Sequence, residues 1–566
     1  MHVDALSLPP QTLQADICIV GAGPAGISLA REFMHSGLRV ALLESGGFRP
    51  DSAAQSLAAS ETFGDIKPSA DVNRRQFGGN ANVWGVPVRH GQPGLRHALF
   101  DEIDFQKREW VANSGWPFER EHLMPFYRRA QTVCEAGPFQ YAAQDWERAQ
   151  CRRWPLDPDV MQTGMFHFSP ASTFLECYRD EIIASRNITL YTHASVVELI
   201  TGDNPTTLTK VRIARPGGPP VFLTATRFVL ACGSFENARL LLISNRQQPA
   251  GLGNRHDVVG RYYHDHPQGR SGYLKPRDPQ LLARSALYDL RLVDGAPVMG
   301  YLKLSSATLS REKLLNINCF LLPKPGPRHD RAIQSFNLLR SRKFLRSSQS
   351  LAASVHPRQT VAGHVGNVLR GLDYLAQMAY LAKTEQQASE YGLCHGGWSR
   401  LDALAERFER IEVWHSIEQT PDPDNRVTLS RQTDHFGCPR LKLQWRWSGQ
   451  DIDQVSRAQG VIARELERAG LGRFEADQDA EGLPNIERPV GSHHLMGTTR
   501  MNDDPRFGVV DADCRVHGMS NLFIAGSSTF PTGGYANPTL TIVALALRLA
   551  DQIKQNVAAQ SVPATV

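Results

Sequence analysis

The chain has 566 residues, 41% hydrophobic, 21% charged and 8% aromatic, with a formal net charge of +5. That composition excludes collagen-like, disordered and disulfide-scaffold chains, and so small a charge leaves no basic footprint for nucleic acid. At roughly 150 residues per domain, the length admits three or four domain-equivalents.

Met1 to Gln14 carries no basic n-region and no apolar h-region, so it reads as a short leader into the first strand and not as a signal peptide. Ile17-Cys18-Ile19-Val20 is a continuous apolar run, as a strand buried on both faces requires. Gly21-Ala22-Gly23-Pro24-Ala25-Gly26 follows. Ile27, Ala30, Phe33 and Met34 then recur at helical spacing, and Gly37 suits the helix end. Val40 to Leu43 is a second buried strand, closed by Glu44. Strand, Gly-x-Gly-x-x-Gly and helix in this order form the dinucleotide fingerprint in its required context. Gly21 permits the tight turn, Gly23 lets the backbone approach a pyrophosphate, and Gly26 lets helix and strand pack closely. The pyrophosphate sits at the helix N-terminus, where free N–H groups and the helix dipole favour an anion. Glu44, eighteen residues after Gly26, is placed to accept from ribose hydroxyls. The motif alone does not separate FAD from NAD.

A β-rich stretch from about Ile188 to Val221 has turn signals at Gly202-Asp203-Asn204-Pro205 and Gly217-Gly218. It leads into the buried strand Phe228-Val229-Leu230-Ala231 and a helix from about Phe235 to Ile243. Glu236 and Arg239 on that helix read as a local pair. Residues 324–370 hold nine Lys or Arg and one acid, Asp330. A solvated basic face is the first reading there, with a substrate-gating loop, an anionic surface or a partner contact as alternatives. Leu441, Leu443, Trp445 and Trp447 alternate with Lys442, Gln444 and Arg446, the period of a sheet with one packed face. An amphipathic helix follows, with Ile452, Val455, Ile462 and Leu466 on one side. The chain closes with the strand Leu522-Phe523-Ile524-Ala525, a Gly/Ser/Pro-rich loop and a helix from Pro538.

Nucleotide-type α/β pieces thus stand at the start, middle and end, with α+β blocks between them. The pattern predicts one discontinuous α/β domain with a second domain inserted. No apolar stretch reaches the ~20 residues that span a bilayer. The nine cysteines are scattered, odd in number and without CxxC, so neither a disulfide nor a zinc framework is expected, and the cytoplasm is the expected compartment. His264, Asp265, His266, His493 and His494 lack metal-ligand spacing, and no metal is expected.

The segment Gly491-Ser492-His493-His494-Leu495-Met496-Gly497-Thr498-Thr499-Arg500-Met501 and the later Phe530-Pro531-Thr532-Gly533-Gly534-Tyr535-Ala536-Asn537-Pro538-Thr539 resemble the glucose-methanol-choline (GMC) flavoprotein oxidoreductases. That family shows a His-x-x-Gly-Thr-x-Arg-Met segment, then a strand, then a small-residue loop ending in Asn-Pro or His-Pro. Phe77-Gly78-Gly79-Asn80-Ala81-Asn82-Val83-Trp84-Gly85 is similar to its second Gly-Gly flavin loop. Ala231 to Leu241 and Val259 to Pro267 are similar to two further elements, in the same order.

The resemblance implies a GMC fold. A Rossmann-type FAD-binding domain is formed by 1–95, 185–265 and 495–566. An inserted α+β cover and substrate domain, 96–184 and 266–494, carries a large, mostly antiparallel sheet. It implies cofactor contacts from Gly21, Gly23, Pro24, Ala25, Gly26, Glu44, Ser45, Gly78, Gly79, Asn82, Val83, Trp84, Val197, Ala231, Gly233, Gly526, Asn537, Pro538 and Thr539. It implies oxidation of an alcohol CH–OH by hydride transfer to flavin N5, with His494 and Asn537 as the catalytic pair. The chemistry suits those types: the hydroxyl proton must leave as hydride departs, and neutral imidazole is a base matched to neutrality. Asn537 before Pro538 is also a good helix start, Asn as N-cap and Pro at N1. Such a helix would aim its positive end at the flavin ring. His493 is expected to be a hydrogen-bonded core histidine. Some family members tether FAD through a His before the Trp of the Gly-Gly loop; Val83 stands there, so FAD is expected to be non-covalent.

The loop Gly78–Trp84 and Glu236–Arg239 look most like bacterial sugar and glycoside oxidoreductases and pyranose-oxidase-like members. The implied substrate is a sugar or glycoside secondary hydroxyl, with a polyol or natural-product alcohol as the alternative, or a non-redox, hydroxynitrile-lyase-like reaction on the same fold. The electron acceptor, O2 or another, and the oligomeric state stay open at this level.

Overall fold

Three distant pieces of chain meet in one parallel sheet. Its six strands run in the order His2–Asp4, Ile188–Thr192, Val40–Leu43, Ile17–Val20, Arg227–Leu230 and Leu522–Ile524, and every neighbouring pair is parallel. Ile17–Val20 and Val40–Leu43 are buried at all positions, as strands covered on both faces must be. The helix Pro24–Glu32 packs with the long C-terminal helix Thr539–Ser561 on this sheet. The computed structural model describes residues 1–64, 72–89, 92–148, 151–215, 218–340, 360–384, 397–401, 403–478 and 493–561. Gly491 and Ser492 of the C-terminal motif, and 341–359 of the basic stretch, lie outside the described residues.

The N-terminal segment does more than lead into a strand. His2–Asp4 is an edge strand of the parallel sheet, and Thr12–Gln14 pairs in parallel with Gly218–Thr224. Three-residue strands are too short to show a period of two, which is why pattern alone passes over them. The β-rich stretch forms a four-stranded sheet from Ser195–Thr201, Leu208–Arg215 and Gly218–Thr224, closed by that N-terminal strand.

The second large layer is a nine-stranded antiparallel sheet. Its main path runs Gly472–Ala476, Gln268–Pro276, Phe408–Ile417, Ile317–Pro325, Ala296–Leu304, Met161–Pro170, Gln92–His97 and Val86–Arg89. Register sets its two faces apart, because alternate residues of a strand point to opposite sides. Arg96 pairs with Phe168, Phe166 with Met299, and Phe320 with Trp414, so these side chains share a face. That face abuts the loop before the last helix: the Tyr301 and Tyr535 hydroxyls lie 2.9 Å apart, and Ser416 donates to the Tyr535 carbonyl at 3.3 Å. The opposite face forms a core with the helix Gly449–Arg468 through Leu302, Ile317, Ile411, Val455, Ile462 and Leu466.

The alternating strand is Pro439–Trp445, with Leu441, Leu443 and Trp445 buried. It joins neither large sheet. It pairs with Arg426–Thr433 and, in parallel, with Ser60–Gly64.

Candidate active site

A cleft opens where the parallel strands end. Gly21, Gly23, Pro24, Ala25, Glu44, Ser45, Gly79, Trp84, Val197, Ala231, Gly233 and Gly526 line it. Gly21 and Gly26 are required by the backbone around them, while Gly23 leaves space open. Gly21 has φ +106°, and a Cβ there would meet the Ala231 carbonyl. A Cβ on Gly26 would collide with the Gly21 carbonyl, so Gly26 serves packing and does not line the cleft. Gly23 faces open space apart from the Gly79 Cα at 3.9 Å. It caps the helix Pro24–Glu32, whose first position is proline, so unbonded helix N–H groups border the cleft. Glu44 accepts from the amides of Ala22 (3.0 Å) and Gly46 (2.9 Å), bracing the loop it faces. Burial pushes its carboxyl upward, opposed by those amides and by Arg75.

Gly78, Asn82, Val83, His494, Asn537, Pro538 and Thr539 do not line this cleft. Gly78 donates to the Ala22 carbonyl at 2.8 Å, and the Asn82 amide donates to the carbonyls of Phe77 and Gly79, so both shape the second Gly loop. Residues that pattern reading missed also line it, among them Arg75, Cys232 and Asp434. Glu236 and Arg239 do approach each other at 3.5 Å, yet each has a nearer partner: Arg75 at 2.5 Å for Glu236 and Asp434 at 2.6 Å for Arg239. The local helix pair is therefore one link in a longer chain of charges along the cleft. His493 also differs from expectation. It lines the cleft at φ +63°, accepts from the Trp84 indole N–H through its carbonyl at 3.0 Å, and its buried Nδ1 has no hydrogen-bond partner.

His494 and Asn537 do come together, beside the cleft. The Asn537 amide nitrogen lies 3.0 Å from His494 Nε2. His494 Nδ1 lies 2.9 Å from His266 Nδ1, and His266 Nε2 lies 3.1 Å from the Gly533 carbonyl. A carbonyl can only accept, so neutral His266 carries its hydrogen on Nε2 and accepts at Nδ1. His494 therefore donates from Nδ1 and presents an unprotonated Nε2 towards Asn537. The carboxylate of Asp265 ties the two backbones together: one oxygen accepts the backbone N–H of His266 (2.6 Å) and of His494 (3.1 Å). The His-Asp-His run, set aside as a metal site, supplies this clamp. Among the described residues no group of three or more His, Cys, Asp or Glu is placed to hold a metal.

The remaining Asn537 atom settles the cap question. Its oxygen accepts from Arg96 Nε at 2.8 Å, so both ends of the amide serve His494 and Arg96. The Arg96 guanidinium lies over the rings of Phe166 (4.8 Å) and Phe320 (5.4 Å), and among the described residues no carboxylate pairs with it. Burial lowers its pKa to about 10. Burial first, then the neighbouring His266, Arg96 and His493, hold the His494 imidazole well below its ordinary range. His266 is pushed down to about 3, again chiefly by burial. Both rings are neutral at neutral pH.

A parallel dinucleotide sheet thus faces an antiparallel sheet, with the His494–Asn537 pair where they meet. The family model described as GMC oxidoreductase matches residues 421–546. Paromamine 6'-oxidase of Streptomyces fradiae is 34% identical over 95% of this chain and 91% of its own length. The fructose dehydrogenase large subunit of Gluconobacter japonicus is 25% identical over 96% and 98%, respectively. Among solved structures, pyridoxine 4-oxidase from Mesorbium loti shares the fold, with a TM-score of 0.51 at 17% identity over 95% of this chain and 99% of that one. The chain belongs to the GMC oxidoreductase family. FAD is its cofactor, and the glycine cradle, helix N-terminus and Glu44 fit a dinucleotide.

Proposed function

We propose that this enzyme oxidises a CH–OH group of a sugar or glycoside, at a secondary hydroxyl, to a carbonyl. His494 is the general base and Asn537 holds the reacting oxygen. The observation that carries this is His494 Nε2 held 3.0 Å from the Asn537 amide nitrogen, on a ring whose other nitrogen is engaged by His266. A hydroxyl set against both atoms, off the line joining them, accepts from the Asn537 amide and donates to His494 Nε2. Its proton then passes to a base whose lowered pKa keeps it neutral. Bound FAD supplies the hydride acceptor at N5. Arg96, one amide away, offsets the negative charge that develops on the oxygen as the proton leaves. On the sheet face above, the part-exposed Trp414 is a flat surface suited to the apolar C–H face of a sugar ring. The relatives named for paromamine and fructose support a sugar-type substrate.

The same proposal covers the cofactor and its domain. The six-stranded sheet supports an FAD domain drawn from 1–95, 185–265 and 495–566, with 96–184 and 266–494 as the cover and substrate domain, except that Val86–Arg89 and Gln92–His97 pair into the antiparallel sheet of the cover. The contacts assigned to Gly78, Asn82, Val83, Pro538 and Thr539 act through loop shape and the final helix. With Val83 before Trp84, FAD is held non-covalently. O2 or another acceptor reoxidises it. The described cysteines are all free thiols, in keeping with a cytoplasmic enzyme.

The test is an anaerobic screen of sugars, glycosides, polyols and aryl alcohols, followed by flavin absorbance. Bleaching by a sugar or glycoside, lost in His494→Ala, is the expected result. A substrate that turns over without bleaching would identify a lyase and overturn the redox assignment.

A further inference from the structure

Three helices, Pro327–Arg340, Val361–Arg370 and Leu372–Thr384, form a layer beside the large sheet, and the middle one is packed inside out. The middle helix turns its polar residues inward. His364 and Asn367 are buried and converge on the buried Ser335 hydroxyl of the first helix, each at 3.1 Å. Its apolar residues face out: Val361 is 52% exposed, Val365 44% and Leu369 64%. The spacing of four residues makes them one stripe, and Leu372 at the start of the third helix extends it at 52% exposure. Phe336 and Leu339 on the first helix are exposed as well. Among the described residues, the large exposed apolar side chains away from this layer are only Met1, Leu6, Phe63 and Phe507, which do not form a run. The layer is anchored from behind, since Ile333, Tyr374 and Met378 are buried in the core of the large sheet. The outward stripe is therefore held in place by that anchor.

In water this arrangement is backwards, because it desolvates polar groups and leaves aliphatic ones wet. It suits an apolar medium outside. The charges indicate which medium. Arg331, Arg340, Arg370 and Lys383 pair with no acid among the described residues, and Arg340 and Arg370 directly follow Leu339 and Leu369. A second copy of this face would oppose cation to cation. No helix among the described residues is long and apolar enough to cross a membrane, and the stripe lies along a ten-residue helix, so the contact is shallow.

We propose that this layer docks on an anionic lipid bilayer. Val361, Val365, Leu369 and Leu372 enter the acyl boundary, and Arg340 and Arg370 meet lipid phosphates. The test is co-sedimentation of the FAD-loaded enzyme with phosphatidylcholine vesicles, with or without about one-third phosphatidylglycerol. The wild type is expected to pellet with the anionic vesicles at low salt and to stay in the supernatant with neutral ones. Val365→Glu/Leu369→Glu, and separately Arg340→Glu/Arg370→Glu, should weaken binding about tenfold or more, with flavin absorbance and turnover of a soluble substrate unchanged. Failure of the wild type to bind anionic vesicles would overturn the proposal. So would equal binding to neutral vesicles, or undiminished binding by both variants. If Leu369→Glu instead halves the mass measured by light scattering, and no vesicle binding occurs, the face is an interface between two copies.

Discussion

His266 decides which nitrogen of His494 is bare. The two Nδ1 atoms face each other at 2.9 Å, and the Gly533 carbonyl takes the only hydrogen of the His266 ring. Removing His266 frees His494 to hold its hydrogen on either nitrogen. His266→Ala is expected to lower kcat by about 10²-fold, short of the ~10⁴ that a wholly wrong tautomer costs in a serine-protease triad. Steady-state kinetics should show the loss in kcat with KM little changed, and the flavin spectrum should match the wild type. A fall confined to KM would remove the positioning role.

The pH profile follows from burial. A base works only when unprotonated, and His494 is held below its ordinary value of 6.5. Activity is therefore lost only as pH falls well beneath 6.5. A plot of kcat/KM against pH should be flat from neutrality down through 6.5, with its acid limb below. A limb at or above 6.5 would mean that another group is the base.

Asn537→Asp is the sharpest side-chain test. It keeps the shape, removes the N–H that faces His494, and adds a carboxylate that favours imidazolium. Turnover should drop and the acid limb should move up in pH relative to the wild type. Since the native amide is engaged with His494 and Arg96, a capping role predicts no such shift. Full activity in this variant would end the assignment of Asn537 to the substrate oxygen.

Gly26→Ala tests the cofactor cradle without touching the chemistry. The added methyl meets the Gly21 carbonyl, and the strand-to-helix turn must open. Overpacking of this kind costs about 1–3 kcal/mol. The purified variant is expected to carry less FAD per chain by absorbance ratio and to melt lower, with the remaining holoenzyme turning over normally.

Reading this fold from sequence worked where the demand on the chain was local. Gly21, Gly23 and Gly26 answer to backbone geometry within six positions, so their spacing is visible, as is the continuous apolar run before them. His494 and Asn537 were legible through the motifs around them. Arg96, Asp265 and Asp434 were not. Arg96 reaches Asn537 across 441 positions, and Arg239 meets Asp434 across 195, through strand register that no local pattern encodes. His493 misled for the opposite reason: its type suggests a satisfied core ring, while its left-handed backbone turns it to the cleft.

The order of strands in the cofactor sheet has a further consequence, for synthesis. Arg227–Leu230 lies between Ile17–Val20 and Leu522–Ile524, two strands that leave the ribosome far apart in time. Until some five hundred residues have emerged, one flank of the central strands has no neighbour and the loop bearing Asn537 does not exist. Such non-local pairing is slow and leaves strand edges bare while it waits. A bare strand edge in the nascent cofactor sheet is thus a site for aggregation until Leu522–Ile524 arrives to cover it.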